Sequence, residues 1–182
     1  MAKSNLQFRI ATPADAAQLQ ELVQSAFQAE DSRERWTGDT ELSKRFRIGV
    51  DKVTVNITKP DSATLMATND GGVLVASLEL SKRSADLARL SMLAVDHRYQ
   101  RGGIGHQVLA YAEEYCRREW GVKKLGLNSL STRQALVAWY ERCGFERTGE
   151  LSPFPRDHFT DLALPEDLCF VELDKDLSTV IT

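Results

Sequence analysis

The sequence predicts an α/β fold, with a mixed sheet flanked by helices, and three observations carry that expectation. Leu87 to Val95 is an apolar run of the kind a strand buried on both faces requires. It leads into Gln100-Arg101-Gly102-Gly103-Ile104-Gly105 and then into a helical stripe at Ile104, Val108, Leu109, Ala112, Tyr115 and Cys116. Upstream, the apolar runs Thr64 to Thr68 and Val73 to Leu80 are joined by Asn69-Asp70-Gly71-Gly72, a strong hairpin signal. At 182 residues the chain suits one domain, 1–182, large enough to bury its own core.

In chain order, Leu6 to Ile10 alternates apolar and polar, as a half-buried strand does. Thr12-Pro13-Ala14-Asp15 offers a capping hydroxyl, a proline at the first helical position and an acid at the third. Ala16, Leu19, Val23, Ala26 and Phe27 give the helix that follows its apolar face. Gln28 to Gly38 is a charged loop carrying Glu30, Asp31, Glu34 and Trp36, read either as solvated surface or as a flap over a substrate. Leu42, Phe46 and Ile48 suggest a short helix, whereas Val53 to Ile57 is β-branched and alternates like a strand. After the long helix, Trp120-Gly121 breaks the pattern and Lys124 to Leu130 alternates as another strand. Arg133 to Cys143 is helical, with Gly144 at the position of a C-terminal glycine. Phe145 to Thr148 can begin a strand, and Gly149 to Asp167, with Pro153, Pro155 and Pro165, reads as a loop. Leu168 to Leu173 closes the fold as a strand, and the last residues read as frayed.

Composition excludes several classes. A hydrophobic content of 42% and a net charge of −3 describe an ordinary globular chain and argue against a general nucleic-acid binder. Cys116, Cys143 and Cys169 are odd in number and show no metal-like spacing, as expected of thiols in a reducing compartment. His97, His106 and His158 share neither a helix face nor a metal spacing, so no metal is expected. With no secretory apolar segment and no apolar run near ~18 residues, neither export nor a membrane span is expected, and the chain reads as cytoplasmic.

The glycine turn carries the chemistry. Glycines allow close approach of backbone to ligand, and the first N–H groups of a helix lack intrahelical partners. With the helix dipole they make an anion site suited to pyrophosphate. A dinucleotide fold fits poorly: Gly103-Ile104-Gly105 lacks the third glycine or alanine, and no Gly-Lys-Ser/Thr is present for a P-loop.

Three motifs in order then resemble the GCN5-related N-acetyltransferase (GNAT) superfamily. Ser91 to Asp96 looks like its central strand, Gln100 to Gly105 fits its pyrophosphate turn, and Trp139-Tyr140-Glu141-Arg142-Cys143-Gly144-Phe145 looks like its Y-E-x-x-G-F ending. The resemblance implies a mainly antiparallel sheet of six to seven strands, splayed at the central strand and flanked by about four helices. It implies acetyl-CoA as acyl donor and direct transfer to a primary amine of a small molecule or peptide. Carried over, the main chain of Leu93, Ala94 and Val95 would meet pantetheine, and the amides of Gln100, Arg101, Gly102, Gly103, Ile104, Gly105 and His106 would hold the pyrophosphate. Tyr140 would be the general acid for the departing thiolate; the alternative is a packed aromatic beside Trp139.

Two positions depart from the family. Asn128 stands where some members carry a glutamate base, and an amide cannot accept that proton. Arg133 replaces an asparagine that touches CoA, and either pairs with a CoA phosphate or caps its helix. Glu79, near the end of a neighbouring strand, is a candidate base, as are Asp96, Glu30, Asp31 and Glu34. Those departures keep a catalytically silent acyl-CoA sensor open as the rival reading. The late loop, with Phe154, Arg156, Asp157, His158 and Phe159, would wall the acceptor pocket or pack against the sheet or a second subunit, as in a homodimer.

Overall fold

The structure, a computed structural model, describes residues 5–29, 38–99 and 102–178. Among these residues, β1 (Gln7–Ile10) is followed by α1 (Ala16–Gln28), α2 (Thr40–Lys44) and α3 (Val50–Thr58). Next come β2 (Ser62–Thr68), β3 (Leu74–Lys82) and β4 (Leu87–Val95), then α4 (Ile104–Tyr115). The chain closes with β5 (Lys124–Leu130), α5 (Gln134–Arg142), β6 (Glu146–Pro153) and β7 (Cys169–Asp176). The strands form one sheet of order β1-β2-β3-β4-β5-β7-β6. Every neighbouring pair is antiparallel except β4 with β5, which is parallel.

That parallel junction positions everything else. It holds for three residue pairs, Leu87↔Lys124, Ala88↔Leu125 and Arg89↔Gly126, after which the two strands separate. A register shift between Ser77 and Glu79, opposite Met92 at φ 56, bends β4 away at the same level. β5 is instead held by β7 along its whole length. The sheet therefore opens into two halves, as the family resemblance implied.

Each face of the sheet has its own core. Leu65, Val75, Leu78, Leu80, Leu90, Leu125 and Leu127 pack with Val108, Leu109 and Ala112 of α4 and Val137 and Tyr140 of α5. On the other face, Met66, Leu74 and Ala94 meet Leu19, Leu22 and Val23 of α1 and Val53 of α3. Lys175 of β7 fastens the first layer: its Nζ lies 2.6 Å from Glu113 Oε1 on α4 and donates to the Cys143 carbonyl at 2.9 Å. Among the described residues no helix is long and apolar enough to cross a membrane.

Four expectations are corrected. Val53 to Ile57 lies in helix α3, with Gly49 as N-cap and Val53 buried against α1. Packing overrides β-propensity there, and Thr54 and Thr58 turn their hydroxyls back to the carbonyls of Val50 and Thr54. The loop read from Gly149 begins as strand, since β6 runs to Pro153 along the sheet edge. The last strand continues past Leu173 to Asp176. Finally, Leu87 to Val95 is not buried on both faces: Ser91 is exposed and Met92 and Leu93 are half-buried, because β5 has left their side.

Candidate active site

The gap between β4 and β5 opens into a cavity of about 560 Å³, within the range of small-molecule sites. Leu93, Ala94 and Val95 line it from one strand, and Leu127, Asn128 and Ser129 from the other. The N-terminus of α4 supplies Gly103, Ile104, Gly105 and His106, and α5 supplies Trp139 and Tyr140, with Arg133 at its N-cap. The structure thus brings ten of the residues expected at the donor site and catalytic step to the same cavity: Leu93, Ala94, Val95, Gly103, Ile104, Gly105, His106, Asn128, Arg133 and Tyr140. Gly102 is exposed just ahead of α4. Gln100 and Arg101 lie outside the described residues, as do Glu30, Asp31, Glu34 and Trp36.

Backbone geometry at α4 suits a close ligand. Gly103 is its N-cap at φ 75, a left-handed conformation that glycine adopts without strain, and the space where a β-carbon would sit is open. A β-carbon on Gly105 would stand 3.1 Å from the Trp139 ring, so that glycine lets α4 and α5 approach. His106 packs its ring edge-on to Trp139 at 5.2 Å and lies 3.5 Å from Cys143 Sγ.

Tyr140 is 5% exposed, wedged between Trp139 at 5.1 Å and Phe145 at 5.8 Å between ring centroids. Burial pushes its phenol up to about 12, against the opposing pull of the Arg133 charge. The hydroxyl is therefore protonated throughout the neutral range, the form an acid needs.

Of the candidate bases among the described residues, neither Glu79 nor Asp96 lines the cavity. Glu79 accepts a hydrogen bond from Asn56 Nδ2 of α3 at 3.1 Å and does not line the cavity; burial raises its carboxyl. Asp96 is turned to Arg98, whose Nη2 donates to it at 2.8 Å, and that hydrogen bond lowers its carboxyl. His158 does not line the cavity either, whereas His97 does. Among the described residues no group of three or more His, Cys, Asp or Glu is placed to hold a metal ion.

Sequence reasoning missed two features. Ser129 is 5% exposed and lines the cavity, and its hydroxyl has no hydrogen-bond partner among the described residues. The signal was available, because Leu125, Leu127 and Ser129 alternate inward and the third is polar. The second is a set of aromatic side chains, Phe27, Phe46 and Phe170, that joins Phe154 and Phe159 in the lining. Only the folded chain unites them.

Known proteins share this architecture. The E. coli ribosomal-protein-S18-alanine N-acetyltransferase has a TM-score of 0.70 at 17% identity, over 97% of this chain and 96% of that one. Spermidine N-acetyltransferase of Vibrio cholerae, solved with CoA and spermine, has a TM-score of 0.68 at 15% identity, over 95% and 96%. The Salmonella typhimurium protein yncA, solved with its cofactor acetyl-CoA, has a TM-score of 0.69 at 16% identity, over 98% of each chain. No curated protein sequence matches the chain. The sequence model of the acetyltransferase (GNAT) family matches residues 17–145, which with the splayed sheet and its cavity means that the chain belongs to the acetyltransferase (GNAT) family.

Proposed function

We propose that the protein is an acyl-CoA-dependent N-acetyltransferase that moves an acetyl group from acetyl-CoA directly to a primary amine. The observation that carries this reading is the cavity in the β4–β5 gap, which runs from the glycine-bearing N-terminus of α4 to the Tyr140 ring. The donor fits the residues present. The amides around Gly103 and Gly105 suit its pyrophosphate, the main chain of Leu93 to Val95 suits its amide-bearing arm, and the unpartnered Ser129 hydroxyl offers it a hydrogen bond. Arg133 contributes positive charge to the same lining.

In the reaction the amine lone pair attacks the thioester carbon, a C–N bond forms and the C–S bond breaks. The amine sheds a proton to solvent, the thiolate takes one from the Tyr140 phenol, and solvent returns a proton to Tyr140. Asn128 orients the incoming group without accepting a proton. The acceptor therefore reacts as the free amine and its proton leaves through solvent.

Calorimetric titration with acetyl-CoA, followed by a thiol-release assay over a panel of primary amines, tests the proposal. Tyr140→Phe is expected to lower kcat about a hundredfold, within the usual span of general acid catalysis, while leaving acetyl-CoA affinity within about threefold. Because the phenol stays protonated until pH nears 12, its ionisation should impose no alkaline loss of rate below about pH 11. Acetyl-CoA binding without turnover of any amine would favour the silent sensor that Asn128 keeps in view.

A further inference from the structure

Resting on that reading, we infer that the acceptor is a primary amine carried on an aromatic ring, an arylalkylamine, rather than a polyamine. Besides the donor groups, the cavity is lined by two aromatic clusters from distant parts of the chain. Phe27, in the last turn of α1, stacks on Phe46 with ring centroids 4.7 Å apart and planes at 22°. Phe154 stacks on Phe159 at 5.4 Å and leans on Phe170 of β7 at 5.8 Å. Arg45 Nη1 donates to Asp161 Oδ1 at 2.9 Å, tying the segment of Phe46 to the segment of Phe159.

The first cluster is held by its backbone. Gln20, Gln24 and Gln28 are spaced four apart on α1 and therefore share a face. Gln20 Nε2 donates to the Ile48 carbonyl at 3.0 Å, Gln24 Oε1 accepts from Ile48 N at 3.2 Å, and Gln28 Nε2 donates to the Phe46 carbonyl at 2.6 Å. The Ser43 hydroxyl donates to the Phe27 carbonyl at 2.5 Å. A slot whose walls are fixed this way is shaped before a ring enters, which reduces the ordering cost of binding.

Charge points the same way. Among the described residues that line the cavity, Asp39 is the only carboxylate, and its Oδ1 accepts from the amides of Glu41 and Leu42 at 3.0 and 3.1 Å, capping α2. The lining's other ionisable side chains include His97, His106 and Arg133. A polyamine would bring several ammonium groups to a lining whose one carboxylate among the described residues, Asp39, already accepts two backbone amides. An aromatic ring gains apolar contact and offset or edge-on packing with phenylalanines. Its short alkyl arm leaves the nitrogen to reach the β4–β5 gap.

The test uses the full chain with acetyl-CoA and compares 2-phenylethylamine, butylamine, 1,4-diaminobutane and spermidine by thiol release. The expected kcat/KM for 2-phenylethylamine exceeds that for butylamine by roughly ten- to a hundredfold, the range set by burying a ring, and exceeds the two polyamines by more. Phe46→Ala should lower the 2-phenylethylamine value about tenfold through KM, with butylamine little changed and the acetyl-CoA Kd kept. Phe159→Leu gives a second reading with less risk to folding, and the same amine-selective loss is expected. Preference for spermidine or 1,4-diaminobutane, equal use of butylamine, or variants that slow all amines alike would overturn the inference while leaving the acetyltransferase intact. So would acetyl-CoA binding in which 2-phenylethylamine is neither acetylated nor able to raise the melting temperature of the CoA-loaded protein. Failure to bind acetyl-CoA would instead remove the acetyltransferase reading itself.

Discussion

At Ser129 the proposed acyl donor would satisfy a buried polar group. A buried hydroxyl without a partner costs about 1–3 kcal/mol, and this one faces the cavity beside residues of the donor gap. Ser129→Ala should therefore stabilise the free protein by about 1 kcal/mol, seen as a higher urea midpoint, while raising the KM for acetyl-CoA several-fold. A residue serving only the core would move the first quantity and not the second. The glycine turn was legible in the sequence because its meaning is local: Gly103 is both helix cap and open approach. Glu79 was not, since which neighbour its side chain meets depends on how α3 packs over β2, and Asn56 takes it.

Among the elements, those with one dry face were legible and those without were not. The stripe of α4 and the inward alternation of β5 both survive in the structure. β6 is exposed at nearly every position and bulges between Arg147 and Leu151, so it has no hydrophobic pattern to read. In α3 the spacing of Val50, Val53 and Ile57 was helical, but β-branched chemistry spoke louder. The entry to α1 was fully legible as a capping box, with Asp15 Oδ2 accepting from Thr12 N at 2.8 Å. Arg9 of β1 also grips that carboxylate, at 2.6 and 2.7 Å, and its hydrogen bonds are the main reason Asp15 is held down to about 2. Because the folded pKa lies below the unfolded one, this contribution is present above about pH 4 and fades as pH falls toward 2. Arg9→Ala should cost about 1 kcal/mol near neutral pH, and denaturant midpoints of the two proteins should converge in acid.

At the scale of the whole molecule, the strand inventory was legible but the joint between its halves was not. Three ladder pairs connect β4 to β5, and no local pattern announces where a parallel pairing stops. A ligand seated in that gap binds the folded chain alone, so at a hundred times its Kd acetyl-CoA should add about 2.7 kcal/mol of stability. For a domain of this size the melting temperature should rise by roughly 5–10 °C, readable by calorimetry.

The parting of β4 from β5 also gives the protein an internal seam, where two strand margins face each other without meeting. Strand margins left open invite pairing with other chains. On the proposed function, the donor would line the seam as well as react. Warmed slowly without acetyl-CoA, the protein should scatter light at a lower temperature than when saturated with it. Supply of the acyl donor would then govern how long each molecule remains dispersed as well as how fast it works.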